Sequence, residues 1–303
     1  MNIFHQMLTL QLQLFLLMAL GLFLKRIGLI DTHGRKLLST LLINVVLPCI
    51  IFRSFQSGDI SPELINNFIV VVVVSAGIQL CAILGSALLF RRYPKQQKAP
   101  MGYGMLCPNS SFVGMPINAA LYGSLGIIYT ALLEIPMNLT MWTVGLGMFT
   151  SMDHRSAVKK VLLHPCIIAV FLGLISMFLS LTLPAVLDSA VLSVGQCATP
   201  LSMIVIGATL ADADFKMIFS RRVLWFSLLR LLLFPLAVYA VLSLLPLDPV
   251  LVAITVIVTG TPAGSTTSIL AEQYDCGSEF ASQIVFSSML LSLVTLPLLA
   301  LLF

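Results

Sequence analysis

The sequence predicts an all-α membrane protein of ten transmembrane helices, built as two inverted five-helix repeats. Three observations predict it. Of 303 residues, 59% are hydrophobic and 9% charged, whereas a soluble domain carries about 25% charged residues. Ten apolar segments bounded by charges, Pro and Gly run along the chain. The basic residues crowd every second loop and are missing from the others.

A mean hydropathy of +1.06 leaves too little polar surface for a soluble enzyme, a nucleic-acid binder, a disordered chain or a secreted disulfide scaffold. The net charge of +4 follows membrane topology and is no nucleic-acid signal. Continuously apolar segments exclude a transmembrane β-barrel, whose strands alternate. Residues 1–6 lack a basic region and no small-x-small cleavage site follows, so the first apolar run is read as a retained span. The cysteines at 49, 81, 107, 166, 197 and 276 form no Cys-x-x-Cys pair and read as small hydrophobes. Neither a metal nor another cofactor is expected.

The spans are expected at 7–24, 37–55, 67–90, 101–121 and 127–150, then 167–183, 189–211, 223–245, 250–270 and 280–303. Most are long enough to cross about 30 Å of hydrocarbon at 1.5 Å per residue. Lys25, Arg26, Arg35 and Lys36 lie between spans 1 and 2, and Arg91, Arg92, Lys95 and Lys98 between spans 3 and 4. Arg155, Lys159 and Lys160 separate spans 5 and 6, and Lys216, Arg221 and Arg222 separate spans 7 and 8. Fourteen of the 16 Lys and Arg therefore share one side, which the positive-inside rule makes cytoplasmic. The opposite loops hold Asp59, Glu63, Asp188 and Asp248 and no Lys or Arg. Both termini are expected outside, in a multi-pass protein of the cell membrane.

Span 1 then runs inward and span 6 outward, so the halves 1–150 and 151–303 are inverted with respect to each other, as in inverted-repeat transporters. Asn44-x-x-x-Pro48 in span 2 and Gln196-x-x-x-Pro200 in span 7 match in spacing and depth. Pro116 in span 4 and Pro262 in span 9 each stand inside a stretch of Gly, Ser, Thr and Asn. Proline removes a backbone donor and clashes with the preceding turn, and glycine eases departure from helical angles. Unwound backbone at membrane depth persists only where protein or a watery cavity satisfies it. Four half-helix ends are expected to meet near the midplane, two of them N-termini suited to an anion. Asn109, Ser110, Ser111, Thr261, Ser265 and Thr266 offer directional hydrogen bonds there. With Gly114, Pro116, Pro262, Asn44 and Gln196 they make up the candidate substrate-binding set. The alternative for each span is a proline kink with Ser or Thr bonding back to its own helix. For Asn44 and Gln196 it is a bond between helices.

The segment from Asn109 to Pro116 (Asn-Ser-Ser-Phe-Val-Gly-Met-Pro) resembles the auxin efflux carrier family, as do Asn44 with Leu47-Pro48 and Thr261-Pro262-Ala263. So do Ser287-Ser288 and Thr295-Leu296-Pro297 in the last span. The resemblance covers the whole chain. That family includes plant PIN-type auxin carriers and bacterial malonate- and malate-type carriers. The resemblance implies a fold like that of sodium/proton antiporters. Spans 1, 2, 6 and 7 would form a scaffold and homodimer face, and spans 3–5 and 8–10 a transport domain. Helices 4 and 9 would cross at Pro116 and Pro262. The long central hydrophilic loop of many plant members is missing, and with it any regulation housed there.

Charges inside spans are costly and are functional candidates by default. Glu134 in span 5 precedes Pro136 and Asn138. It either couples or gates transport or caps the break at Pro136. Arg230 in span 8 either attracts an anion or snorkels to the cytoplasmic boundary. Arg53 is expected to reach the outer headgroups.

These residues predict a secondary carrier for small organic anions working by alternating access, and the resemblance implies carboxylates or auxin-like indole acids as substrates. An anion channel or a ligand-binding membrane sensor is the alternative. No enzyme is expected: the four histidines lie at or near span ends, no His-Glu-x-x-His occurs, and every Asp lies in or beside a loop. Glu134 alone is too few acids for a cation site rich in oxygen. One buried carboxyl can carry a proton, since burial disfavours its charged form. Proton-linked transport or uniport is therefore expected rather than sodium coupling. The implied partners are the anion, the bilayer, protons and a second copy of the chain.

Overall fold

In the computed structural model, which describes residues 3–56, 62–149, 163, 165–179, 181–211, 220–264 and 266–303, helices and their connections account for everything except one isolated antiparallel bridge, Pro108 to Ala263. The α-helices are α1 (Ile3–Arg26), α2 (Thr32–Leu41), α3 (Leu47–Gln56), α4 (Pro62–Leu89), α5 (Lys95–Leu106), α6 (Met115–Thr140) and α7 (Pro165–Phe178). Then follow α8 (Ala185–Gln196), α9 (Ala198–Leu210), α10 (Arg221–Leu228), α11 (Phe234–Leu242), α12 (Pro249–Thr259), α13 (Thr266–Gln273) and α14 (Ser278–Ala300). Among the described residues, six helical stretches are long and apolar enough to cross a membrane: Thr32–Arg53, Asn67–Leu89, Ser110–Gly145, Ala185–Ala208, Arg221–Leu242 and Ser278–Ala300. The apolar helices Pro165–Phe178 and Pro249–Thr259 are shorter.

Beside an apolar core, polar side chains are buried while many large aliphatic ones lie on the surface. Val73, Leu88 and Val186 are 64%, 68% and 82% exposed, while Ser75, Asn118, Thr130, Ser227, Thr255, Ser287 and Ser288 are buried. Lipid solvates aliphatic side chains but offers hydroxyls and amides no partner, so the polar groups turn inward.

Prolines mark where the helices depart from α geometry. Among the described residues four single π turns occur, at Leu42–Val46, Ser110–Gly114, Met141–Gly145 and Leu229–Leu233. Three of them end two residues before a proline: Pro48, Pro116 and Pro235. A proline ring crowds the carbonyl four residues back and supplies no N–H. One extra residue in the turn is a way to relieve both without ending the helix. Around Pro136 in α6, side chains bond to the neighbouring backbone: Ser75 Oγ donates to Leu133 O at 2.6 Å and Asn138 Nδ2 to Glu134 O at 2.9 Å. The same helix turns sharply at Gly123, whose φ of 58° and ψ of −139° suit glycine alone.

The contacts divide the chain into two compact units. The first comprises Met1–Asn66, Ser111–Ala131 and Leu163–Ala213. Here α1 packs on α9 with backbones in close approach: a Cβ on Gly21 would overlap the Ile204 carbonyl, and one on Gly207 the Met18 carbonyl. Small residues permit that approach between membrane helices. Helix α3 lies against α7 and α8. Arg53 Nε meets Asp188 Oδ1 at 2.7 Å, so this arginine is paired within the protein and does not reach for headgroups as expected.

The second unit comprises Asn67–Ser110, Leu132–Leu162 and Asp214–Phe303. Its largest side chains pack around α5, where Phe90, Met101, Met105, Phe226, Ala263 and Ile284 form one apolar cluster. Tyr103, Leu146, Phe149 and Ala271 belong to another.

Candidate functional site

Two helices of the second unit stop in the middle of apolar sequence, and their ends are joined. Helix α5 closes with Cys107 N bonded to Tyr103 O at 2.9 Å, and Cys107 itself is non-helical at φ −110°, ψ 84°. Helix α12 closes at Gly260, whose N–H bonds back to Val256 O at 2.9 Å. Beyond these ends the chain is extended on both sides and pairs as an antiparallel bridge. Asn109 N donates to Pro262 O and Gly264 N to Cys107 O, each at 2.8 Å. Ala263 N donates to Ser288 Oγ of α14 at 3.1 Å, and that hydroxyl bonds to Val285 O at 3.0 Å. Pro108 and Pro262 have no N–H to satisfy. The N–H groups of the unwound segments are thus partnered, one condition for leaving helix geometry inside a membrane.

The close approach depends on Gly264. A Cβ there would lie 2.8 Å from Cys107 Sγ and 3.2 Å from Cys107 O. The Cys107 thiol sits within 3.0 Å of Thr266 Oγ1, at the start of α13, and 3.3 Å from Met141 Sδ.

The candidate residues fall as follows. Asn109, Ser110, Thr261, Pro262 and Thr266 lie at the paired segments of the second unit. Asn109 and Ser110 are 6% and 5% exposed. The amide of Asn109 has no hydrogen-bond partner among the described residues, whereas Ser110 Oγ donates to Glu134 Oε1 at 2.7 Å. That bond ties Glu134 to the break. Thr261 Oγ1 bonds back to Val258 O at 2.7 Å, the role of a helix-end hydroxyl. Ser265 lies outside the described residues.

Ser111, Gly114, Pro116, Asn44 and Gln196 belong to the first unit. The break of span 4 falls at Cys107–Asn109, so Pro108 is the proline that pairs beside Pro262. Pro116 sits at the second residue of α6, just after a π turn, where a missing N–H costs little. Asn44 Nδ2 donates to Thr40 O at 2.8 Å within its own helix, and Gln196 ends α8 with its side chain exposed. Asn118, unremarked in the sequence, is fully buried with Nδ2 donating to Thr130 Oγ1 at 2.9 Å and Oδ1 without a partner among the described residues.

Arg230 was expected to attract an anion or to snorkel; it does not snorkel. It is 1% exposed inside a π turn, and Nη1 donates to Thr259 O, at the end of α12, at 2.8 Å. A separate cavity of about 780 Å³ opens in the same unit between Arg221, Arg222 and Tyr93 at one part of its wall and Leu228, Leu231 and Thr295 at another. None of the paired-segment residues lines it.

The family model described as membrane transport protein matches residues 6–160 and 152–300. An "Uncharacterized transporter" from Methanothermobacter thermautotrophicus is 27% identical over 298 residues, covering 95% of each chain. A "Putative malonate transporter" from Rhizobium meliloti is 25% identical over 279 residues, covering 88% of this chain and 87% of its own.

Proposed function

We propose that this chain, which belongs to the membrane transport protein family and is a multi-pass membrane protein, is a secondary carrier for small organic anions, with carboxylates as the substrate class. The observation that carries the reading is the joined pair of interrupted helices. Cys107–Asn109 and Pro262–Gly264 are held by two 2.8 Å backbone bonds beside an Asn109 amide that bonds to no described residue and the Ser110–Glu134 bond. Broken helices of this kind place backbone dipoles and free amides where a transported ion can use them. The relative described as a malonate transporter supports carboxylates over indole acids.

In this reading ten spans form two inverted five-helix repeats, 1–150 and 151–303, with both termini extracytoplasmic in the cell membrane. The first unit holds the helices of spans 1, 2, 6 and 7 together with residues 111–131 of spans 4 and 5, and its four complete spans are read as a scaffold and homodimer face. The second is the part that moves in alternating access. Asn109, Ser110, Thr261, Pro262, Ser265 and Thr266 contribute to the substrate site. Glu134 carries the coupling proton. Uptake of labelled malonate, malate, acetate and indole-3-acetate into proteoliposomes, under imposed pH or sodium gradients, tests this. Carrier-rate uptake driven by a pH gradient is expected. Flux far above carrier turnover would make the protein a channel, and binding without flux a sensor.

A further inference from the structure

Arg230 is among the largest fully buried side chains of the described residues, at 1% exposure, and it forms no ion pair with any of them. A lone guanidinium taken out of water is strongly disfavoured unless its charge is compensated. Glu134 forms no ion pair with it, and Glu134 Oε1 accepts the Ser110 hydroxyl. What Arg230 has is a single bond, from Nη1 to the carbonyl of Thr259. Its Nε and Nη2 are buried with no partner among the described residues.

Which two nitrogens are left matters chemically. Nε–H and the facing Nη2–H lie along one edge of the planar guanidinium and point the same way. That edge forms the side-on fork that takes both oxygens of one carboxylate in two parallel bonds. The third nitrogen, on the other side, is engaged with the end of α12, so the plane is anchored while the fork stays available. Arg230 also lies within the π turn Leu229–Leu233, a local insertion that recurs at functional positions in helices. Its helix neighbours Trp225 and Leu228 are 39% and 44% exposed, so the arginine points away from that exposed face.

We propose that Arg230 is a carboxylate-binding residue of the carrier, taking one substrate carboxylate side-on through Nε and Nη2. The assignment rests on the carrier reading and narrows it. The substrate must present at least one ionised carboxylate, and a neutral amide of the same shape is rejected. Burial of the fork agrees with alternating access, in which a bound ion is closed from both sides at one stage of the cycle. Thr259 O, as an acceptor at a helix C-terminus, holds the cation in place without neutralising it.

The test uses the full chain, purified and reconstituted, with malonate and its neutral diamide malonamide as probes. Arg230→Gln should raise the KM for malonate by on the order of tenfold to a hundredfold, the loss of a charged bidentate contact. It should also abolish the preference for malonate over malonamide in ligand-induced thermal stabilisation. Arg230→Lys keeps the charge and loses the fork, and should fall between wild type and Gln. A merely structural arginine would change yield or melting temperature and leave KM and the preference intact. That result in Arg230→Gln would overturn the assignment, as would a wild-type KM in Arg230→Lys where the Gln variant does not fold. Wild-type protein that takes up no carboxylate would instead sink the carrier reading, and this assignment with it.

Discussion

Gly264→Ala strikes the paired segments where they are closest. The added Cβ would stand 2.8 Å from Cys107 Sγ and 3.2 Å from Cys107 O, against about 3.5–4.0 Å for a relaxed carbon contact. The segment from Pro262 to Gly264 must retreat, and two 2.8 Å bonds are at risk, Gly264 N to Cys107 O and Asn109 N to Pro262 O. Each buried group left unmade costs about 1–3 kcal/mol. Losing one and straining the other gives about 2–4 kcal/mol, overlapping the usual penalty for an overpacked interior of about 1–3 kcal/mol. Purified protein in detergent should then unfold on the order of 5–10 °C lower, with transport reduced. Cys107→Ala removes the sulfur that the new methyl meets, at the loss of its contacts with Thr266 Oγ1 and Met141 Sδ. The double variant should therefore be more stable than Gly264→Ala alone, a favourable coupling in the cycle. Gly264→Ala melting at the wild-type temperature, or a double variant worse than both singles together, would refute the close pairing.

Glu134→Gln keeps an oxygen to accept the Ser110 hydroxyl, so it should fold normally and flatten the pH dependence of flux; unchanged pH dependence, or a sodium requirement, would remove Glu134 from coupling. Asn109→Ala deletes an amide that bonds to no described residue, so melting should shift by no more than about 0.5 kcal/mol equivalent while the substrate KM rises several-fold; an unchanged KM would return Asn109 to a structural role. A single cysteine at position 96, in a cysteine-depleted background, should be shielded from impermeant maleimide in intact cells and react after permeabilisation. Labelling from outside would invert the topology that puts both termini out.

Much of the helical layout could be read from residues because lipid imposes its own rule: segments about 20 residues long, continuously apolar, ended by charge. The segment from Cys107 to Asn118 shows where that reading stops. It holds two prolines, one glycine and several small polar residues, and local chemistry permits a break at either proline. The choice is made by a partner 155 positions away in sequence, where Ala263 bridges Pro108 and Gly264 alone allows the approach. With the Cys107 carbonyl and the Asn109 N–H claimed there, the chain can resume a helix through the π turn before Pro116, which has no N–H to satisfy. Arg230 is the reverse case. Distance from the end of its span favoured a side chain reaching for water, because a straight α-helix fixes which face each residue occupies. The π turn at Leu229–Leu233 adds a residue to the turn and displaces that face, and Pro235 beyond it is the sequence feature tied to the insertion. A proline two residues past a run of large apolar side chains is therefore a reason to distrust helical periodicity upstream, and the charge most affected by that displacement here is the one left buried with two unused donors.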